Sequence, residues 1–311
     1  TASGNANDAL PQKRFARPTA NAKYAFVGGA TGIAGLNAES CAQNATTNIN
    51  TAIAAAVNGD VVVALDGLYT ATAGGANRNM SAAGKTILVR ARSKFGAVID
   101  LSGGSGWFGI SSATDVVGSK FWGFGMLKPG GGGNGVGVNI TGGALKVGAI
   151  AVLGGSSGNS GPGIKITGGD AANPPEVEDY WLIGCSHTGA SQGALYVSSA
   201  SGTGAPILRR GVIRDTVGAS GAQVAAARID YTGTVIQGLE ICNSSGGCIT
   251  GGITVTKAAT INNLTCAKNV GTTAHDFNLG AAVTVTGDSW ICWSDNASAV
   301  KAVNVALGTL V

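Results

Sequence analysis

The densest group of acidic side chains in the sequence follows Pro174-Pro175 and consists of Glu176, Glu178 and Asp179. Carboxylates at this spacing could bind a cation such as Ca²⁺ or act as a pair of catalytic acids. The competing interpretation is a solvated loop, because strand neighbours such as Glu178 and Asp179 point to opposite faces. Glu176 and Glu178 are the candidate metal ligands, and Glu178 is also a candidate catalytic residue.

A second charged group lies further along the chain, at Arg209, Arg210, Arg214 and Asp215. An arginine base beside an acidic partner would suit lyase-like chemistry, so Arg214 and Asp215 are candidate catalytic residues. The same side chains could instead form salt bridges on the protein surface, and Asp215 could close a turn after a strand. Because single motifs often mislead, the sequence favours the structural role.

The composition restricts the elements that could position these groups. Charged residues make up 12% of the 311 residues, 44% are hydrophobic, and 52 residues are glycine. Sparse charge with many small and β-branched residues is typical of packed strands joined by glycine turns. The net charge of +4 is too small to indicate nucleic-acid binding. No apolar run approaches the length of about 18 residues that predicts a membrane-spanning helix.

One amphipathic helix is predicted over 46–57, where apolar residues recur on one face from Ile49 to Val57. Thr46 or Thr47 is the predicted N-cap. This helix is expected to cover the open end of a stack of strands, whose edge would otherwise be exposed. Short strands separated by Gly, Ser, Asn and Asp are predicted at 86–90, 97–101, 136–140, 148–153, 163–167, 180–183 and 194–198.

An internal repeat in the second half of the chain indicates a solenoid. Apolar strands ending in Cys or Asp recur at steps of 30, 27, 24 and 26 residues, at Cys185, Asp215, Cys242, Cys266 and Cys292. A period in the middle twenties is the coil length of a parallel β-helix, whereas a propeller blade needs about 40 residues. The predicted fold is therefore all-β: a single-stranded right-handed parallel β-helix (solenoid) with an N-terminal capping helix.

Three segments are predicted from this organisation. Residues 1–44 form an N-terminal arm that leads into the helix, residues 45–305 form the β-helix, and residues 306–311 form a C-terminal tail. The first 23 residues are basic and show no periodicity, so they are expected to be extended.

The repeat places four cysteines at one position in successive coils, so Cys185, Cys242, Cys266 and Cys292 are predicted to form an internal ladder. Stacked coils are about 4.8 Å apart. Buried reduced thiols are favoured over disulfides because disulfide geometry is specific, and disulfides are the alternative. The sequence contains no C-x-x-C motif, which would indicate a zinc site.

The repeat and the helix followed by GDVVVALDGLYT at residues 59–70 resemble the pectate-lyase-like superfamily of right-handed β-helices, over residues 45–305. The resemblance implies the fold and raises polysaccharide cleavage as an activity. The signatures of the related hydrolases, N-T-D, D-D, G-H-G and R-I-K, do not occur, and Arg228-Ile229-Asp230 is the nearest approach to the last. A fold alone does not supply a function.

Aromatic residues occur in pairs that could form a sugar-binding stripe. The favoured interpretation is that one member of each pair fills the core, because successive strand residues point to opposite sides. The pairs are Trp107-Phe108, Phe121-Trp122 and Tyr180-Trp181.

The missing catalytic signatures, the sparse charge and the basic arm favour a non-catalytic structural or attachment protein. The resemblance to phage tailspikes and virion decoration proteins implies an extracellular or virion-surface homo-oligomer, with a trimer favoured. It also implies that the N-terminal arm docks on a capsid or surface-layer protein. The alternative is a polysaccharide lyase or glycoside hydrolase that acts on a surface glycan. A glycan is a candidate partner, and no cofactor, nucleic acid or membrane span is expected.

Overall fold

Nearly all of the structure consists of short parallel strands, with one short helix. It is a computed structural model. It describes residues 24–27, 41–44, 48–104, 106–127, 135–154, 162–187, 193–198, 204–218, 225–242, 245–246, 251–267, 277–280, 283–293, 303–304 and 309–310.

The helix and strands have the following bounds. The first part of the chain contains β1 (Tyr24–Val27), β2 (Cys41–Asn44), α1 (Ile49–Ala55), β3 (Val61–Ala64), β4 (Gly67–Thr70), β5 (Leu88–Ala91), β6 (Ala97–Asp100), β7 (Phe108–Ser112), β8 (Lys120–Trp122) and β9 (Gly125–Leu127). The middle contains β10 (Val136–Ile140), β11 (Lys146–Leu153), β12 (Ile164–Ile166), β13 (Glu176–Ile183), β14 (Ser186–His187), β15 (Leu195–Ser198), β16 (Ile207–Arg214), β17 (Val217–Gly218), β18 (Ala225–Asp230) and β19 (Thr234–Cys242). The last part contains β20 (Ser245–Gly246), β21 (Gly251–Val255), β22 (Ala259–Ala267), β23 (Phe277–Leu279), β24 (Thr284–Thr286), β25 (Trp290–Trp293), β26 (Val303–Asn304) and β27 (Thr309–Leu310).

Consecutive coils of the chain stack on one another to form three sheets. The main sheet follows the order β2-β1-β3-β5-β8-β11-β13-β16-β19-β22-β24-β27, with β4, β6, β9 and β25 beside it. The second sheet follows the order β26-β23-β21-β18-β15-β12-β10-β7, and the third is β14-β17-β20. This arrangement of parallel sheets is a β-solenoid, which confirms the fold predicted from the repeat.

A column of bends divides the central strands of the main sheet. The bend residues have φ angles between 50° and 81°, in the left-handed region, and they interrupt the register of the strands. They form the bend column, which consists of Ala149, Asp179, Arg210, Gly238 and Asn263.

The bend column separates two outer surfaces of the main sheet. Outward side chains before the bends form the pre-bend face, which includes Lys146, Glu176 and Arg209. Outward side chains after the bends form the post-bend face, which includes Leu153 and Ile183 and continues onto β4, β6, β9 and β25. The two faces therefore meet along one ridge.

The core consists of apolar side chains stacked in register from coil to coil. One such column, with each side chain at most 1% exposed, is Val147, Val177, Leu208, Ile236 and Ile261. Full burial stabilises each side chain of this size by roughly 1.5–3 kcal/mol relative to exposure. The core therefore lengthens with every coil.

The helix is shorter than predicted and begins later. Its N-cap is Asn48, not Thr46 or Thr47, because the Asn48 Oδ1 accepts a hydrogen bond from the Asn50 N–H at 3.0 Å. The helix ends at Ala55 because Ala56 has extended backbone angles. In the described part of the chain, no helix has both the length and the apolar character needed to span a membrane.

Side chains and strands around the helix place it at the start of the stack. Lys85 Nζ donates to the carbonyl oxygens of Ile53 at 2.9 Å and Ala54 at 2.7 Å, which satisfies two C-terminal carbonyls. The helix contacts β1 and β3. That the helix covers the end of the solenoid stays a prediction.

Strands also occur in the segments predicted to be an arm and a tail. β1 and β2 lie within residues 1–44 and pair with each other, and β1 pairs with β3. β27 lies within residues 306–311 and pairs with β24. The main sheet therefore extends beyond residues 45–305 on both sides. The predicted extended arm, residues 1–23, lies outside the described residues.

Candidate functional site

The two charged groups singled out in the sequence lie on adjacent coils and form one network. On the pre-bend face, Glu176 Oε1 accepts from Lys146 Nζ and Glu176 Oε2 accepts from Arg209 Nη1, both at 2.8 Å. Arg209 Nε also donates to Gln237 Oε1 at 2.9 Å. Four successive coils are therefore joined by polar side chains.

The bend column holds the centre of this network. Arg210 Nε donates to Asp179 Oδ1 at 2.5 Å, and Arg210 Nη2 donates to Glu178 Oε2 at 2.6 Å. The prediction that Glu178 and Asp179 face opposite ways was wrong. Asp179 has a φ of 51°, which breaks the alternation of the strand and turns both carboxylates toward the same guanidinium.

The structure gives other contacts to Arg214 and Asp215, which were the candidates for a catalytic base and its acidic partner. Arg214 Nη2 donates to Glu240 Oε1 on the next coil. Asp215 is exposed, has a φ of 54°, and its N–H donates to the carbonyl oxygen of Cys242 at 3.3 Å. Asp215 thus ends its strand in a turn.

The electrostatics of the network hold its charged forms in place. Burial raises the pKa of Glu176, but hydrogen bonds and charges from Lys146 and Arg209 outweigh burial and bring the pKa below its usual value. Hydrogen bonds that Arg210 donates to Asp179 and Glu178 raise the pKa of Arg210, and a hydrogen bond that Arg214 donates to Glu240 raises the pKa of Arg214. Arginines held protonated in this way are poorly suited to accept a proton from a substrate.

A groove of about 150 Å³ opens on the pre-bend face beside this network. Its floor contains the Trp122 indole, which occupies the space above Gly148; a Cβ on Gly148 would lie 1.9 Å from Trp122 Cζ3. Lys120, Lys146 and Glu178 also line the groove. Burial and the nearby charge of Lys146 lower the pKa of Lys120. The groove therefore combines an aromatic surface with charges of both signs.

A second groove, of about 320 Å³, lies across the ridge on the post-bend face. Its lining includes Trp181, Arg210, Gly238, Glu240 and Asn263. Gly238 is the one glycine in the bend column, and it lies between Arg210 and Asn263 in that column. A glycine of the main sheet therefore lines each groove, Gly148 the first and Gly238 the second.

Two of the three aromatic pairs divide between the core and the surface, whereas Trp107 and Phe108 are both partly exposed. Phe121 and Tyr180 are fully buried, whereas Trp122 and Trp181 point outward and are partly exposed. Trp122 lies on the pre-bend face and Trp181 lies on the post-bend face, so they do not form one stripe. Trp181 packs edge-on against Phe95 at 5.3 Å between ring centroids.

The four cysteines of the repeat do not form one ladder. Cys266 and Cys292 are register partners, but Cys242 pairs with Ala267, and Cys185 lies beyond the end of β13. All four are thiols in the structure. The repeat misaligned them because coil lengths vary, and a shift of one residue moves a side chain to the other face. Burial raises the pKa of the Cys242 thiol, which makes it a poor nucleophile.

The segment Arg228-Ile229-Asp230 is braced within its own sheet. Arg228 Nε donates to Asp230 Oδ2 at 2.6 Å, and Thr256 Oγ1 donates to Asp230 Oδ1 at 2.5 Å. Its carboxylate is therefore engaged on both oxygens, and the segment adds no second catalytic carboxylate.

Within the described residues, no group of three or more His, Cys, Asp or Glu side chains is placed to hold a metal ion. The candidate ligands Glu176 and Glu178 bind basic side chains instead. Sequence reasoning found most members of the network but missed Lys146, Gln237 and Glu240, which are isolated charged or polar residues in the sequence. Only the stacking of coils brings them together.

The fold and the site define a parallel β-solenoid with an ion-pair network across its coils. The chain matches no protein-family model, no curated protein and no solved structure.

Acid should weaken the network through Glu176. Its folded-state pKa lies below its ordinary value of 4.5, so its contribution to stability is fully present above pH 4.5 and is lost as the pH falls through the folded pKa. Glu176→Gln should lower the free energy of unfolding at pH 7 by up to about 1 kcal/mol. It should also reduce the loss of stability between pH 7 and pH 3, measured by urea unfolding. Equal losses in variant and wild type would contradict this prediction.

Proposed function

We propose that this chain is a non-catalytic structural and attachment protein, a multimeric β-solenoid displayed on a virion or a cell surface. The post-bend face carries the proposal, because several coils expose apolar side chains on it. Leu68 is 61% exposed and Leu153 is 44% exposed, and Ile183, the register partner of Leu153, is partly exposed. Contiguous exposed apolar side chains mark surfaces that contact other proteins.

The ion-pair network supports the non-catalytic part of the proposal. Glu178 binds Arg210, and Arg214 binds Glu240, so these candidate catalytic groups already brace neighbouring coils. A general base needs a pKa near the working pH, whereas the hydrogen bond to Glu240 raises the pKa of Arg214 above its ordinary value. Their arrangement suits a rigid rod better than a reaction centre.

The native mass in solution tests the multimeric part of the proposal. Light scattering should give a multiple of the 30.4 kDa chain mass, and electron microscopy of the same sample should show uniform particles. The trimer favoured by the sequence is one such multiple. A stable monomer at every protein concentration would contradict the proposal.

A second candidate function, cleavage of a surface glycan, is favoured by the pre-bend groove. Trp122 offers an aromatic surface to a sugar ring, and Lys120, Lys146 and Glu178 surround it. Under the preferred proposal, acidic polysaccharides incubated with the protein should release no reducing ends. Release that is lost in Glu178→Gln, but retained in Gln237→Ala, would favour the enzyme instead.

A further inference from the structure

The outermost column of the post-bend face has apolar residues at its centre, with a negative charge on one side of them and a positive charge on the other. Register pairs connect one residue per coil, and the column reads Thr70, Asp100, Leu127, Leu153, Ile183, Arg214 and Cys242. Asp100 lies two coils before Leu153, and Arg214 lies two coils after it. Since coils are about 4.8 Å apart, the two charges are separated by about 19 Å along the solenoid.

This spacing is symmetric about Leu153, which gives the column a self-complementary pattern. When a second copy lies face to face in the antiparallel orientation, a two-fold axis parallel to the strands passes through the level of Leu153. Leu153 then meets the second copy's Leu153, and Leu127 meets its Ile183. Asp100 meets the second copy's Arg214 at both ends of the contact. Two-fold contacts of this kind are the commonest in homo-oligomers.

The adjacent column fits the same centre. It reads Leu68, Val98, Gly125, Ala151, Trp181, Val212 and Glu240. The same axis places Val98 opposite the second copy's Val212 and places Ala151 opposite the second copy's Ala151. Lys94 also lies over this column, with its Nζ 4.2 Å from the centre of the Trp181 indole. Its attraction to that ring compensates for part of its lost hydration.

The side chains at the ends of the pattern can form the contact. The Arg214 side chain is 48% exposed, and one of its guanidinium nitrogens donates to Glu240. An arginine has five N–H donors, so a second carboxylate can bind the same group. Asp100 is partly exposed, and its Oδ1 accepts from the Ser102 N–H at 2.9 Å. The carboxylate is therefore held in a fixed position at the surface.

The parallel orientation gives the opposite result. A two-fold axis along the solenoid places every coil against the same coil of the second copy. Asp100 then meets Asp100 and Arg214 meets Arg214. Like charges across an interface cost several kcal/mol. The charges therefore select the antiparallel pair.

We propose that the post-bend face pairs with the post-bend face of a second copy of this chain, antiparallel, with Leu153 at the two-fold axis and reciprocal Asp100–Arg214 ion pairs at the ends. The proposal rests on the proposed multimeric function and adds the surface and the orientation. The dimer can itself be the unit from which a larger assembly is built.

Charge reversal tests the pairing with two variants of the full chain. Asp100→Arg and Arg214→Asp should each weaken self-association by at least about tenfold, because each places like charges opposite one another. An equimolar mixture of the two variants should associate again, because every end contact then joins Arg with Asp. Light scattering across a range of concentrations measures the mass of each sample. Lys165→Asp, on the outer face of the second sheet, is the control and should leave the wild-type mass unchanged.

Far-UV circular dichroism and the unfolding midpoint of each variant separate loss of pairing from loss of folding. Recovery of association in the mixture is a second check, because it requires that both variants fold. An oligomer whose mass neither reversal changes would overturn this pairing and leave the multimeric function standing. A mixture that stays monomeric would also overturn the pairing. A monomeric wild type would overturn both proposals.

Discussion

Replacing Phe121 with alanine is expected to lower the free energy of unfolding by about 3–5 kcal/mol. The ring is fully buried, and register pairs place it between Val89 on the preceding coil and Val147 on the following one. Both neighbours are held by their own coils, so the core can relax only partly into the space. Urea unfolding followed by circular dichroism measures the effect.

The neighbouring tryptophan provides a matched control. Trp122→Ala also removes a large aromatic side chain, but this one lies on the pre-bend face over Gly148 and is partly exposed. We expect it to cost less, about 1–2 kcal/mol, because the ring keeps part of its surface in water and its removal leaves no closed cavity in the core. Similar losses in the two variants would contradict the assignment of Phe121 to the core and Trp122 to the surface.

This pair illustrates what the sequence could predict. Strand residues alternate between the two sides of a sheet, so a Phe-Trp pair must divide between core and surface. The same rule applies to Tyr180-Trp181. The repeat predicted a stack of parallel strands, and seven predicted strands match observed ones to within a few residues, including 136–140 at both ends. Local alternation and a long period are both visible in one sequence.

The bend column was not predictable in the same way. Ala149, Asp179 and Arg210 adopt left-handed backbone conformations, although glycine and asparagine are the usual residues there. The side chains of Ala149 and Arg210 do not indicate a bend, and an aspartate such as Asp179 indicates one only weakly. The rule that strand residues alternate between faces therefore does not hold at Asp179. For this reason the prediction that Glu178 and Asp179 point to opposite faces was wrong. The geometry of the charged network depends on these bends. The sequence could therefore predict most of its residues but not the ion pairs that they form with one another.

The predicted register of the cysteines was wrong for a related reason. A repeat read from sequence aligns similar residues, whereas the stack aligns backbones. Cys242 resembles Cys266, yet the hydrogen bonds pair it with Ala267. Because the turns between strands differ in length, sequence similarity predicts the position of a residue along its coil only to within about one residue. A shift of one residue moves a side chain to the other face of the sheet.

Gly211→Ala is expected to destabilise the solenoid by about 2–3 kcal/mol, although it adds a single methyl group. Gly211 is the register partner of Tyr180, and a Cβ there would lie 2.1 Å from Tyr180 Cζ and 2.3 Å from its hydroxyl oxygen. The Tyr180 ring is fully buried, so it has no route to solvent. The glycine is therefore required by the residue one coil earlier, and chemical unfolding of Gly211→Ala measures the cost.

A double-mutant cycle isolates this contact from other effects of the alanine. Tyr180→Leu removes the atoms that the new Cβ would meet, so Gly211→Ala should cost nearly nothing in that background, with a coupling energy of about 2 kcal/mol. Tyr180→Phe keeps the ring and should leave the full cost in place. It removes only a buried hydroxyl that has no hydrogen-bond partner among the described residues. If Gly211→Ala cost the same in all three backgrounds, the glycine would be needed for its own backbone and not for the neighbouring ring.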